Sequence, residues 1–227
     1  MKRMKTNCKY KIVVLVALII TASYNFSIGQ SKAYVEEVQL SANFKLAYLE
    51  SVIYPGIEAG FEYPLRLIDL QKTKRSGREK NIEKSRFVST SIGWYHHKSF
   101  QDNVYSQVEY IKRRKNSNGF YTEFLPGIGI SRSFVGGTVY ETKGDGNIKV
   151  KTAKGYNYAM VSMGGGIGYD LSKYSVLPIT AYTRLTVLAM FPYNSTINLR
   201  PTIEIGANAS IFKVKARKYT KTKTRIK

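Results

Sequence analysis

The sixteen residues 197–212, INLRPTIEIGANASIF, alternate without interruption up to residue 211. Ile197, Leu199, Pro201, Ile203, Ile205, Ala207, Ala209 and Ile211 are apolar. Between them stand Asn198, Arg200, Thr202, Glu204, Gly206, Asn208 and Ser210. A period of two is the signature of a β-strand with one apolar and one polar face. A helix of this composition would smear both classes around its circumference. The apolar face must be covered, either by a protein core or by lipid.

Seven further segments repeat the pattern. Residues 38–48 place Val38, Leu40, Ala42, Phe44, Leu46 and Tyr48 on one face, against Gln39, Ser41, Asn43 and Lys45. Residues 53–65 oppose Ile53, Pro55, Ile57, Ala59, Phe61, Tyr63 and Leu65 to Glu58, Gly60 and Glu62. Alternation recurs at residues 88–94, 104–112, 120–130, 161–169 and 179–191. Most of these segments are nine to thirteen residues long. A tilted membrane strand needs about 9–11 residues, whereas the usual soluble strand is nearer 5–6. No helical stripe of comparable strength competes. The expected fold is all-β, an antiparallel transmembrane β-barrel of about eight strands.

Residues 1–11 carry Lys2, Arg3, Lys5, Lys9 and Lys11 and no acid, and residues 12–22 are an apolar run of eleven residues, IVVLVALIITA. With small residues at Ser27 and Gly29, this is the pattern of a cleavable secretory signal peptide at residues 1–29. The run is too short for a spanning helix, which takes about 20 residues. Cys8 precedes the run, so the exported chain has no thiol. The expected organisation is a signal peptide at 1–29, a barrel at 30–212 and a basic, solvated C-terminal tail at 213–227.

Two readings compete for the apolar faces. A soluble periplasmic β-barrel would turn them inward around an apolar ligand. A membrane barrel would turn them outward and gather the polar faces in a lumen that side chains nearly fill. Aromatics near segment ends, such as Tyr48, Tyr63, Trp94, Tyr110, Tyr169, Phe191 and Phe212, suit the interfacial girdles of the second. On that reading Glu58, Glu62, Glu123, Arg184, Arg200 and Glu204 form a lumen polar cluster, with Lys45 as a further partner.

The motifs YPGIEAGFEYPL (54–65), FLPGIGISRSF (124–134), GGGIGYDL (164–171) and LRPTIEIGANASIF (199–212) resemble the small outer-membrane β-barrel family of Gram-negative bacteria. The resemblance covers most of residues 35–212. It implies an integral location in the bacterial outer membrane much more than an activity, and the expected role is structural, binding or adhesive, without catalysis. Two features depart from the family pattern: fifteen residues follow the terminal aromatic Phe212, and the 70–84 connector is long for a periplasmic turn. Pro55, Pro126 and Pro201 are expected to mark bulges or strand starts, because proline lacks a ladder donor.

Candidate chemistry is sparse. His97, Ser99 and Glu109 supply the parts of a hydrolase triad, and a His-x-Ser element resembles that of outer-membrane lipid A deacylases. This makes a lipid-modifying enzyme the alternative function. His96 and His97 are adjacent, so a regular strand points them to opposite faces, and no metal or cofactor is expected. The glycines at 164–166 and 168 lack a following GK[ST] and are expected to admit neighbouring side chains. Removing the signal's five cations from the formal +21 leaves +16. For an exported barrel this points away from nucleic acid and toward outer-membrane lipids, including lipopolysaccharide phosphates. A monomer is expected.

Overall fold

The computed structural model describes residues 34–51, 54–73, 79–97, 101–136, 139–142, 148–151, 154–173, 178–193 and 196–223. The expected signal peptide and Ser99 lie outside them. The described chain is almost wholly β: β1 (Tyr34–Ser51), β2 (Tyr54–Thr73), β3 (Glu79–His97), β4 (Gln101–Asn116), β5 (Phe120–Val135), β6 (Val139–Thr142), β7 (Ile148–Lys151), β8 (Gly155–Asp170), β9 (Ile179–Tyr193) and β10 (Thr196–Lys223). Eight strands pair antiparallel with their neighbours in the ring β1-β2-β3-β4-β5-β8-β9-β10, and β10 closes on β1. The fold is therefore an eight-stranded antiparallel β-barrel. Strands β6 and β7 form a separate hairpin in the long connection between β5 and β8.

The register fixes the geometry of the ring. From Tyr48 the pairings lead through Ile57, Trp94, Val104 and Arg132 to Asn157 on β8. In the other direction they lead through Ile205 and Thr183 to Ile167, ten residues along the same strand. A stagger of that size over eight strands spaced ~4.8 Å apart tilts them by ~40°.

The apolar faces point outward. Leu46, Ile57, Ile92, Val108, Ile128, Met163, Leu185 and Ile203, one from each barrel strand, are 45–67% exposed, while their polar neighbours Lys45, Glu58, Ser91, Glu109, Ser162, Arg184 and Glu204 are buried inside. This reverses the soluble-barrel reading, which needed the apolar set inside.

Three expectations about strand limits are corrected. The residues 70–84 are not a connector: β2 runs to Thr73 and β3 begins at Glu79. The expected tail is strand as far as Lys223, where β10 ends, so Phe212 is not the end of the barrel, and residues 224–227 lie outside the described residues. Pro201 makes no bulge, since β10 runs in unbroken register with β9 from Asn198 to Ala209. It lies beyond the last β1 partner, Glu50↔Ile203, so no ladder bond to β1 is lost there.

The polarity of the wall reverses at the end where residues 34 and 223 lie. A bulge at Ala42/Asn43, opposite Phe212 and Ser210, and a second at Pro64/Arg66 each shift the alternation by one residue. Beyond them Ala42, Leu67, Leu70, Ile82 and Ala216 are buried, whereas Lys213, Lys215 and Arg217 are exposed. The set Val38 to Tyr48 therefore does not share one face: the bulge divides it between interior and exterior. Past the bulge, β10 pairs with β1 along one edge, from Ser41↔Lys213 to Tyr34↔Thr220. Along the other it pairs parallel with β2, from Arg217↔Arg66 to Lys223↔Lys72. Residues 217–223 thus lie between β1 and β2.

Candidate functional site

The inward positions of β1, β2, β4, β5, β9 and β10 converge on one charged cluster. Among the described residues, five buried glutamates (Glu58, Glu62, Glu109, Glu123 and Glu204) face four buried cations (Lys45, Arg113, Arg184 and Arg200). Arg184 donates from Nε to Glu123 at 2.8 Å and from Nη2 to Glu62 at 2.7 Å, and its Nη1 lies 3.5 Å from Glu204. Arg113 donates from Nε to the other Glu123 oxygen at 2.5 Å and from Nη2 to the other Glu62 oxygen at 2.8 Å. The two arginines and two glutamates close a ring of four charge-assisted bonds. Lys45 Nζ pairs with Glu58 and lies 3.3 Å from Glu204 and 3.7 Å from Glu109. Tyr105 donates to Glu58 at 2.5 Å and Tyr182 to Glu204 at 2.7 Å. Arg184 and Arg200 also sit over the rings of Tyr182 and Tyr95, at 4.1 and 4.2 Å.

Glycines make room for these bulky groups. A Cβ at Gly166 would meet Cγ of Arg184 at 2.7 Å, and one at Gly168 would collide with the Tyr121 ring. The glycine run on β8 thus admits side chains from β9 and β5. Toward the end where β1 meets β2, the interior is filled by Leu49, Tyr95, Tyr105, Tyr158, Met160, Leu188 and Met190. Beyond the charges, Phe87, Ile111 and Leu125 pack together. The charged layer therefore lies between two apolar clusters.

The structure places Glu58, Glu62, Glu123, Arg184 and Glu204 in this one network, with Arg200 in the same interior. Sequence reasoning missed Arg113. It shares the inward parity of Gln107 and Glu109, but the expected strand stopped one residue short of it. The candidate triad is not assembled. His97 pairs across the β3–β4 hairpin with Gln101, whereas Glu109 lies eight residues farther along β4, ~27 Å away at strand rise. Glu109 is instead engaged by Lys45. At the rim, His96 Nδ1 lies 2.7 Å from Asp102 and its ring stacks on Trp94. Among the described residues, no group of three His, Cys, Asp or Glu side chains is placed to hold a metal ion.

Glu58, Glu62, Glu123 and Glu204 of this interior are engaged by cations or tyrosine hydroxyls, whereas Glu109 Oε2 has Lys45 at 3.7 Å and makes no hydrogen bond. The class so defined is the small antiparallel β-barrel with a charged, side-chain-filled interior and an apolar outer wall. No protein-family model matches the chain, and no curated protein sequence matches it. Among solved structures it is similar to the crystal structure of Neisserial surface protein A, at 13% identity over 81% of this chain and 100% of that one, with a TM-score of 0.38. The fold assignment rests on the chain's own strand register.

Proposed function

We propose that the chain is an integral protein of the bacterial outer membrane, a closed barrel with a structural, binding or adhesion role and no catalysis. One observation carries this reading: large apolar side chains stand exposed on all eight barrel strands while a cluster of charged side chains is buried inside. Ile130 is 70% exposed, Ile92 63% and Leu199 66%, yet Lys45 and Glu62 are at 0%. The largest apolar patch on a soluble monomer is roughly 300–600 Å², and a girdle around the whole barrel goes well beyond that. About nine residues of strand tilted ~40° span the ~25 Å apolar band of an outer-membrane barrel, and the outward run from Ile57 to Leu65 has that length.

The β6–β7 hairpin supports the binding role. Tyr140 and Val150 are cross-strand partners, 66% and 53% exposed. They offer an apolar contact in the long connection, at the end of the barrel away from residues 34 and 223. Lipids of the membrane are the partners of the outer wall, and a single chain suffices to close it.

Fractionation tests the location. The protein is expected in the outer-membrane fraction, resistant to alkaline carbonate. Its unheated band should migrate differently from the boiled band on a detergent gel. Recovery in the soluble periplasm would refute the reading. Reconstitution into planar bilayers should give no steady conductance.

A further inference from the structure

The outer wall of β2, β3 and β4 carries a basic band at the margin of the apolar girdle. In register, Tyr63, Val88 and Tyr110 stand side by side on the three strands. One step toward residues 34 and 223 comes a row of cations: Arg217 pairs with Arg66, Arg66 with Arg86, and Arg86 with Lys112. One step farther, Ile68 pairs with Lys84 and Lys84 with Arg114. The flanking residues Ser85, Phe87, Ile111 and Arg113 are buried, which turns Lys84, Arg86, Lys112 and Arg114 outward.

Like charges directly opposite on paired strands are destabilising, and here they recur on successive pairs. The nearby carboxylates are engaged elsewhere: Asp69 with Lys218 at 3.0 Å, and Glu83 with Lys115 at 3.7 Å. Glu37, opposite Arg217 on β1, offsets only the end of the row. The cations are held against the aromatic margin. Arg86 Nη1 donates to the Tyr110 hydroxyl at 2.9 Å, and Lys112 Nζ lies 5.8 and 5.7 Å from the Tyr110 and Phe124 ring centres. One step of two residues is ~6.6 Å along a strand, so the cations sit where headgroups meet acyl chains.

We propose that this face is a binding site for an anionic phospholipid. Arg86, Lys112 and Arg114, with Arg66 beside them, take the headgroup phosphate, while Tyr110, Phe124 and Val108 lie along the acyl chains. The site rests on the membrane-spanning reading. Both ends of the described strand set, residues 34 and 223, lie at this margin. With the chain ends in the periplasm, the occupant is a phospholipid of the periplasmic leaflet, and the outer-leaflet lipopolysaccharide faces the opposite margin.

The test uses the refolded full-length exported chain in phosphatidylcholine vesicles containing spin-labelled phosphatidylcholine or spin-labelled phosphatidylglycerol. Both labels should show a motionally restricted component. Each cation near the surface contributes roughly a factor of five toward an anionic lipid, so phosphatidylglycerol should be selected severalfold over phosphatidylcholine. The triple variant R86Q/K112Q/R114Q should lose most of that selectivity. It should keep the restricted phosphatidylcholine fraction and the heat-shifted gel band. Arg132→Gln, at the other margin, should keep the selectivity. The proposal is overturned if the wild type shows no preference, if the triple variant retains it, or if R132Q abolishes it. Absence of a restricted phosphatidylcholine component would instead sink the membrane reading itself.

Discussion

Replacing Arg184 with methionine (R184M) probes whether the interior ion network holds the barrel together. Arg184 on β9 reaches Glu123 on β5, Glu62 on β2 and Glu204 on β10, and is 1% exposed. Methionine keeps most of the side-chain bulk and removes the charge, leaving five buried glutamates against three cations. Breaking a buried ion pair from one side costs about 3–5 kcal/mol, because the abandoned charge stays desolvated. The lower half applies here. Glu62 and Glu123 retain Arg113 at 2.8 and 2.5 Å, and Glu204 retains Lys45 at 3.3 Å. With a urea slope of ~2 kcal/mol per molar, a loss of ~3–4 kcal/mol lowers the unfolding midpoint by ~1.5–2 M. The assay is urea unfolding of vesicle-reconstituted protein, read from the heat-shifted gel band. The double variant R184M/E123Q removes one abandoned carboxylate and should recover about half of the loss. A midpoint for R184M within ~0.3 M of wild type would refute the reasoning, since the lumen would then be screening its charges as water does.

Gly166→Ala should destabilise by about 1–3 kcal/mol on the same unfolding curve, because the new Cβ meets Arg184 Cγ at 2.7 Å and the Thr183 carbonyl oxygen at 3.0 Å; an unchanged midpoint would show that Arg184 has room elsewhere. Truncation after Phe212 removes the β10 residues paired with residues 34–41 of β1 and 66–72 of β2. It should abolish the heat-shifted band, whereas a dispensable tail would leave it intact. Replacing residues 137–153 with a short Gly-Ser linker should leave barrel folding unchanged, since β6 and β7 pair only with each other. Ser99→Ala should leave lipid A acylation unchanged by mass spectrometry; loss of a deacylated species would reinstate the enzymatic alternative.

The barrel was legible because each strand has one apolar face, and alternation over nine or more residues records that directly. Ile197 to Ile211 read correctly along their whole length, and Glu204 and Arg200 followed as interior groups. The rest was hidden by two physical facts. A bulge shifts parity without any compositional mark, so Ala42 and Leu46 looked alike although one is buried and the other exposed. Where the wall leaves the apolar girdle, its outer face turns basic, and a strand such as residues 213–223 then has the composition of a solvated tail. The same boundary truncated the expected β4 before Arg113. The triad failed for a different reason: shared composition says nothing of distance along a strand, and His97 and Glu109 are far apart on adjacent ones.

The seam between β1 and β10 has a consequence for the order of assembly. Its pairings join Tyr34 to Thr220 and Glu50 to Ile203, the largest sequence separations in the barrel. Contacts between remote residues form slowly, because the intervening chain must be ordered first. Every other neighbouring pair in the ring can zip from a local hairpin or the β5–β8 connection. The ring therefore closes last at the seam, and the final segment, residues 217–223, then wedges against β2 as well as β1. A nascent barrel lacking those residues presents two open edges to any other strand nearby. Residues 217–223 act as a latch that holds both of those edges at once.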